Sequence, residues 1–285
     1  MRGLLRWAPS WACWLLLVAA VLAHAALAVL AVAELASLGW PLPAWFDTAA
    51  VTLVLMTAAA GLAASGRVGL RAAADSRALR AVVRAQRRPV PTILVNKSAV
   101  LDCASRLDVV TGEEPFAVTY GLIRPRILVS AGLATALTPA EIGAVLAHER
   151  EHLRHRDPLR LQAGRLLAAW ACFLPAARWL DSRAALRREL AADRAAAQCA
   201  GRGVLAGALL KLAGTPASPA LAAASPAGDE PGSLEARVTQ LETGRPPRQR
   251  PAVSRLAASA GTLSLLAPSF LCCAALSRLL PGGVL

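Results

Sequence analysis

From Trp7 to Ala33 the chain carries no charged residue, and the run is bracketed by Arg6 and Glu34. Roughly 20 apolar residues cross a bilayer core as a helix, and lipid leaves a backbone few alternatives because every N–H and C=O must be satisfied internally. Thr48 to Gly66 is a second uncharged stretch, ending at Arg67, and Leu256 to Ser277 is a third, between Arg255 and Arg278. The first run begins after Met1, Arg2 and Arg6, as a signal peptide would, but it is too long for a signal peptide's apolar core. The first two stretches are therefore expected to form a transmembrane hairpin over residues 1–66, and residues 254–285 a C-terminal transmembrane helix.

Composition agrees with a membrane chain. Apolar residues make up 56% of the 285, yet the formal net charge is +13. Much of that charge lies just after the second stretch, as Arg67, Arg71, Arg77, Arg80, Arg84, Arg87 and Arg88. Basic residues next to spanning helices gather on the cytoplasmic side, so residues 67–253 are expected to face the cytoplasm of a bacterial-type cell membrane, in a multi-pass protein. No nucleic-acid reading motif accompanies the arginines, and direct nucleic-acid binding is not expected. The six cysteines form no CxxC pair, which argues against both a disulfide scaffold and a cysteine metal site.

Beyond Pro89 and Pro91 the chain reads as short strands at Thr92–Val95, roughly Leu107–Val110, Phe116–Tyr120 and Arg126–Ser130, separated by turn residues such as Gly112 and the Arg124-Pro125 pair. Thr138-Pro139-Ala140-Glu141 then has the order of a helix start: a cap, a proline at the first helical position and the glutamate of a capping box. That helix should run to about His155. Asp157-Pro158 signals another start. Leu159 to Leu180 is apolar but interrupted by Arg160, Arg165, Pro175 and Arg178. A polar helix is expected from Ser182 to about Cys199, a loop from Gly201 to Pro231, and a short helix at Leu234–Leu241. The fold class expected is a mainly α membrane protein with a small α+β catalytic region.

The chemistry is concentrated at His148-Glu149-Arg150-Glu151-His152. Residues four apart share a helix face, so both imidazoles can reach one ion while Glu149 serves as general base to a metal-bound water. Three of the four histidines fall between positions 148 and 155, which argues against a chance match on a charged helix. A catalytic zinc needs a third protein ligand and an open position. Glu189, on the later polar helix, fits that role. Asp193, one turn on, could accept a hydrogen bond from a ligating histidine and fix its tautomer. His155 reads better as an exposed or supporting residue than as a ligand, Glu151 as a surface partner of Arg154 or His155, Asp157 as a helix cap, and Tyr120 as strand packing. Both His148 and Glu189 must lie on one side of the membrane, so the stretch 159–180 is expected to be re-entrant or interfacial rather than one full crossing.

The run from Tyr120-Gly-Leu-Ile-Arg-Pro through Leu137 to His148-Glu-Arg-Glu-His152, with Arg156-Asp-Pro158 and Arg188-Glu-Leu-Ala-Ala-Asp193, resembles the BlaR/MecR-type integral membrane zinc metallopeptidases. The resemblance covers roughly residues 90–245. It implies a zincin-like (HExxH) catalytic region, Zn2+ held by His148, His152 and Glu189, Glu149 as base, and a substrate peptide added to the strands before the HExxH helix. It also implies regulated proteolysis of a cytosolic protein substrate, a transcriptional repressor of the BlaI type. Two departures stand out. No penicillin-binding sensor domain follows the last apolar run, and two rather than three apolar helices precede the catalytic region. Two other readings compete: an HtpX-like quality-control protease, disfavoured by the short spacer between His152 and Glu189, and a non-proteolytic scaffold that keeps zinc structurally.

Overall fold

The computed structural model describes residues 45–213, 233–247, 253–259 and 262. The expected first spanning helix and nearly all of the last lie outside these residues. The described residues fall into two compact units: one from residues up to Gly69, Gly164–Asp181 and those from Pro251 onward, the other from Leu70–Ala163 and Ser182–Arg250. In chain order the elements are α1 (Trp45–Gln86), β1 (Arg87–Arg88), α2 (Thr92–Val100), a 3-10 turn (Ala104–Arg106), β2 (Leu107–Val110), β3 (Ala117–Tyr120), β4 (Arg126–Ser130), α3 (Ala131–Ala136), α4 (Pro139–His155), α5 (Asp157–Trp170), α6 (Pro175–Ala200), α7 (Arg202–Ala213) and α8 (Ser233–Thr243). The protein is mainly helical with one small sheet. Among the described residues, no helix is long and apolar enough to cross a membrane.

In the second unit the sheet order is β1-β2-β4-β3. β2 and β4 run parallel, with Leu107 opposite Ile127 and Val110 opposite Ser130. β3 pairs antiparallel with β4, Thr119 opposite Ile127, and β1 pairs antiparallel with β2. Successive strand side chains point to opposite faces, and the two faces bury different partners. Leu107, Val109, Ile127 and Val129 join Leu94 and the α4 residues Ile142, Val145, Leu146 and Leu153 in one core. Val110, Val118 and Leu128, on the other face, pack with Leu79 and Val83 of α1 and with the ring of Tyr120. The sheet is thus clamped between the end of α1 and the HExxH helix. A third apolar cluster of Ala144, Ala147, Ala196, Leu205 and Leu241 holds α6, α7 and α8 against the opposite side of α4.

α4 starts where the sequence places it. The Thr138 hydroxyl accepts from Glu141 N at 3.3 Å, while Thr138 N donates to Glu141 Oε2 at 2.7 Å, a complete capping box. Lys211 of α7 also reaches Glu141, Nζ to Oε2 2.7 Å. Ser130 closes β4 in a similar way, its Oγ accepting from Leu133 N to cap α3 and from Phe116 N to tie in the entry to β3.

Three sequence expectations are corrected. Thr92–Val95 is the first turn of α2, not a strand; only Leu94 and Ser98 are buried, a spacing of four that suits a helix resting one stripe on the core. The uncharged stretch Thr48–Gly66 does not end an element at Arg67, because α1 runs unbroken through Gly66 and Gly69 to Gln86, with no proline until Pro89. The expected loop from Gly201 contains α7, since Val204, Leu205, Ala208 and Leu209 supply an apolar face despite the glycines; residues 214–232 lie outside the described set. The apolar stretch 159–180 is divided, α5 ending at Trp170 and α6 opening on Pro175.

The first unit, taken by itself, is built on small residues. A Cβ on Gly61 would stand 2.8 Å from the Trp170 carbonyl oxygen, Ser65 Oγ donates to Leu166 O at 3.2 Å, and Ala168, Ala171, Leu174 and Ala177 form its apolar cluster. Ala176 N, at the start of α6, donates to Ser259 Oγ at 2.8 Å.

Candidate active site

The site grows from the buried face of α4. His148, Glu149 and His152 are all under one-tenth exposed, as are Glu189 and Asp193 of α6. The rings of His148 and His152 meet edge to face, with centroids 4.8 Å apart. Their Nε2 atoms are 3.1 Å apart. Glu189 faces both, with Oε2 3.5 Å from His148 Nε2 and Oε1 3.5 Å from His152 Nε2. His148, His152 and Glu189 can each offer one ligand atom, all within 4.8 Å of one another, and so could hold a metal ion.

The far side of each ring meets a carboxylate. His152 Nδ1 is 2.8 Å from Asp157 Oδ2. His148 Nδ1 is 3.0 Å from Asp193 Oδ1, close in distance but not aligned as a full hydrogen bond. A carboxylate only accepts, so with each Nδ1 hydrogen turned to its carboxylate the two Nε2 lone pairs face each other. Two lone pairs at 3.1 Å repel unless a cation lies between them. The donor set therefore fits a metal.

The electrostatics give the same answer. Burial disfavours a charged His148, but the carboxylates of Asp193 and Glu189 outweigh it and push its pKa up to about 10. Burial also opposes charge on Glu189, yet His148, His152 and Arg237 hold it down at about 2. Asp193 is likewise lowered against its burial by His148 and Arg237.

Two residues that the sequence did not single out belong to this site. Arg237 of α8 grips Asp193 with both ends of its fork, Nε to Oδ2 2.7 Å and Nη2 to Oδ1 2.7 Å, and its Nη1 is 3.5 Å from Glu189 Oε2. Its position was marked by a charge on the inward stripe of a short helix, beside buried Gln240 and Leu241. Thr119 of β3 donates its hydroxyl to Glu149, 2.7 Å to Oε2 and 3.0 Å to the backbone carbonyl. The signal there was a polar residue on the same strand face as Ala117, which packs toward α4.

The remaining expectations sort themselves by place. Asp157 is both the first residue of α5 and the partner of His152. His155 Nδ1 lies 3.2 Å from Glu151 Oε1, and the His155 side chain is 41% exposed, outside the cluster. Tyr120 points to the other face of the sheet, donating to Asp108 Oδ2 at 2.8 Å beside Arg126.

A helix carrying His148, Glu149 and His152 and a second helix carrying Glu189 thus bring together, above the sheet, a group that could hold a metal ion, as a metallopeptidase requires. The chain belongs to the BlaR1 peptidase M56 family, whose model matches residues 44–241. A search among curated proteins finds no match to the chain.

Proposed function

We propose that the chain is a membrane-bound, zinc-dependent endopeptidase that hydrolyses a peptide bond in a cytosolic regulator, with a BlaI-type repressor as the substrate class. The observation that carries the reading is the convergence of His148, His152 and Glu189 beside Glu149 in a buried cluster. A tetrahedral zinc with bonds of about 2.0–2.1 Å separates its ligand atoms by roughly 3.3 Å. The two Nε2 atoms, 3.1 Å apart, lie near that value, and Glu189 turns a different oxygen to each ring, Oε2 to His148 and Oε1 to His152, at 3.5 Å. Membership of the BlaR1 peptidase family supports peptide hydrolysis, and the uncharged runs at 7–33 and 256–277, which lie wholly or mostly outside the described residues, support the membrane attachment.

In this mechanism His148, His152 and Glu189 hold the metal, with Asp193 and Asp157 keeping the Nδ1 hydrogens in place. Bound zinc would acidify a water and polarise the scissile carbonyl. Glu149 takes the water proton on its carboxylate and passes it to the departing amide nitrogen. Arg237 balances the charge of Asp193 and Glu189 so that two buried carboxylates can sit side by side.

The test is zinc content and peptide cleavage of detergent-purified protein, with wild type beside Glu149→Gln and Glu189→Ala. About one zinc per chain is expected, kept in Glu149→Gln while cleavage falls by about a hundredfold or more. Glu189→Ala should lose the metal. A wild type without zinc would end the metallopeptidase reading, and zinc-loaded cleavage indifferent to Glu149 would end its role as base.

A further inference from the structure

Thr119 is 5% exposed and lies on β3, opposite Ile127 in the antiparallel ladder. Strand alternation sends Val118 and Tyr120 toward α1 and turns Thr119 toward α4. There its Oγ1 meets two acceptors of one residue, Glu149 Oε2 at 2.7 Å and Glu149 O at 3.0 Å. A hydroxyl has a single hydrogen to donate. The backbone carbonyl lies within α4, whose residues bond carbonyls one turn back, so it has its own helical donor; the carboxylate is the nearer acceptor and is negatively charged, which strengthens the bond. The hydrogen therefore goes to Oε2.

On the reading of Glu149 as base, we infer that Thr119 is a positioning residue, which ties one carboxylate oxygen of Glu149 to the sheet and leaves the other free to take the proton. A glutamate has three side-chain torsions, and a base that swings away from the water is useless for most of its time. The Thr119 bond removes that freedom before substrate arrives. It anchors the carboxylate to a strand that is itself held by β4 and, through Tyr120 and Asp108, by β2. A residue that is merely structural would have no need to place its only hydrogen on the carboxylate.

The experiment compares full-length, detergent-purified wild type with Thr119→Val, Thr119→Ala and Thr119→Ser. Valine matches threonine in shape but has no hydroxyl; serine keeps the hydroxyl. Each protein is measured for zinc content, melting temperature, kcat and KM. Valine and alanine should keep about one zinc and an unchanged KM while kcat falls about tenfold to hundredfold, the cost of a misplaced catalytic group. Serine should restore kcat to within a few-fold. A second readout needs no activity: in metal-free protein the melting shift caused by Thr119→Val should shrink in a Glu149→Leu background, because the partner is already gone. The inference is overturned if valine or alanine keeps wild-type kcat, if the loss lies in KM or in zinc, if serine fails to rescue, or if the melting shifts add independently. Should wild-type cleavage prove independent of Glu149, the peptidase reading itself falls, and the melting cycle still decides whether Thr119 holds that carboxylate.

Discussion

Tyr120 is the chain's single tyrosine, which makes one side chain readable in a bulk measurement. Burial and its bond to the Asp108 carboxylate push its pKa up to about 12. The folded value exceeds the unfolded one of about 10, so the stabilisation is complete below pH 10 and is lost as pH rises through 12. Phenolate absorbance in the folded protein should therefore appear about two pH units later than in denaturant; coincident titrations would mean that the bond to Asp108 is absent in solution. His148 offers a second reading of the same kind. With its pKa near 10 in the metal-free site, it is protonated at neutral pH, and on the zinc-dependent reading proposed above the ion must displace that proton. Binding heats in buffers of different ionisation enthalpy should report about one proton released per zinc, and affinity should weaken as pH falls. No release would mean a neutral His148 before the metal arrives. At this scale helical spacing, a local pattern, singled out His148, Glu149 and His152, whereas Glu189 and Asp193 came from the need for a third ligand on a later helix and from the family resemblance. Thr119 and Arg237 escaped it because their partners lie 30 and 44 positions away, and no local rule connects such distances.

At the scale of elements, legibility followed the same line between local and distant causes. The start of α4 was readable from four residues, since a capping box is a local arrangement, and β2 and β4 matched their apolar runs. The run at Thr92–Val95 was misread because four apolar residues suit a strand or a buried helix turn equally, and only the stripe of Leu94 and Ser98 decides. The corner between β4 and α3 shows how tightly these elements are fitted. Gly132 N donates to Gly112 O at 2.8 Å, and a Cβ on Gly132 would stand 2.0 Å from the Glu113 carbonyl oxygen. Backbone cannot rotate out of the way as a side chain can. Gly132→Ala should cost about 1–3 kcal/mol, seen as a lower denaturant midpoint with an unchanged slope. An unaffected midpoint would mean that the loop at 112–113 yields freely.

Over the whole molecule, the site gathers residues from four separate places: Thr119 on a strand, His148 to Asp157 across two helices, Glu189 and Asp193 on a third, and Arg237 on α8. None of these segments can hold the charges of the others alone, so metal, fold and proton occupancy are linked. The order of the chain gives this linkage a direction in time. A ribosome releases the polypeptide from its first residue onward, and Arg237 emerges a few seconds after Glu189 at ordinary elongation rates. During that interval Glu189 and Asp193 lack the guanidinium that allows them to sit together. The cluster therefore stays unfinished until α8 is made, because the last of its members to be synthesised is the one that balances the charge of the others.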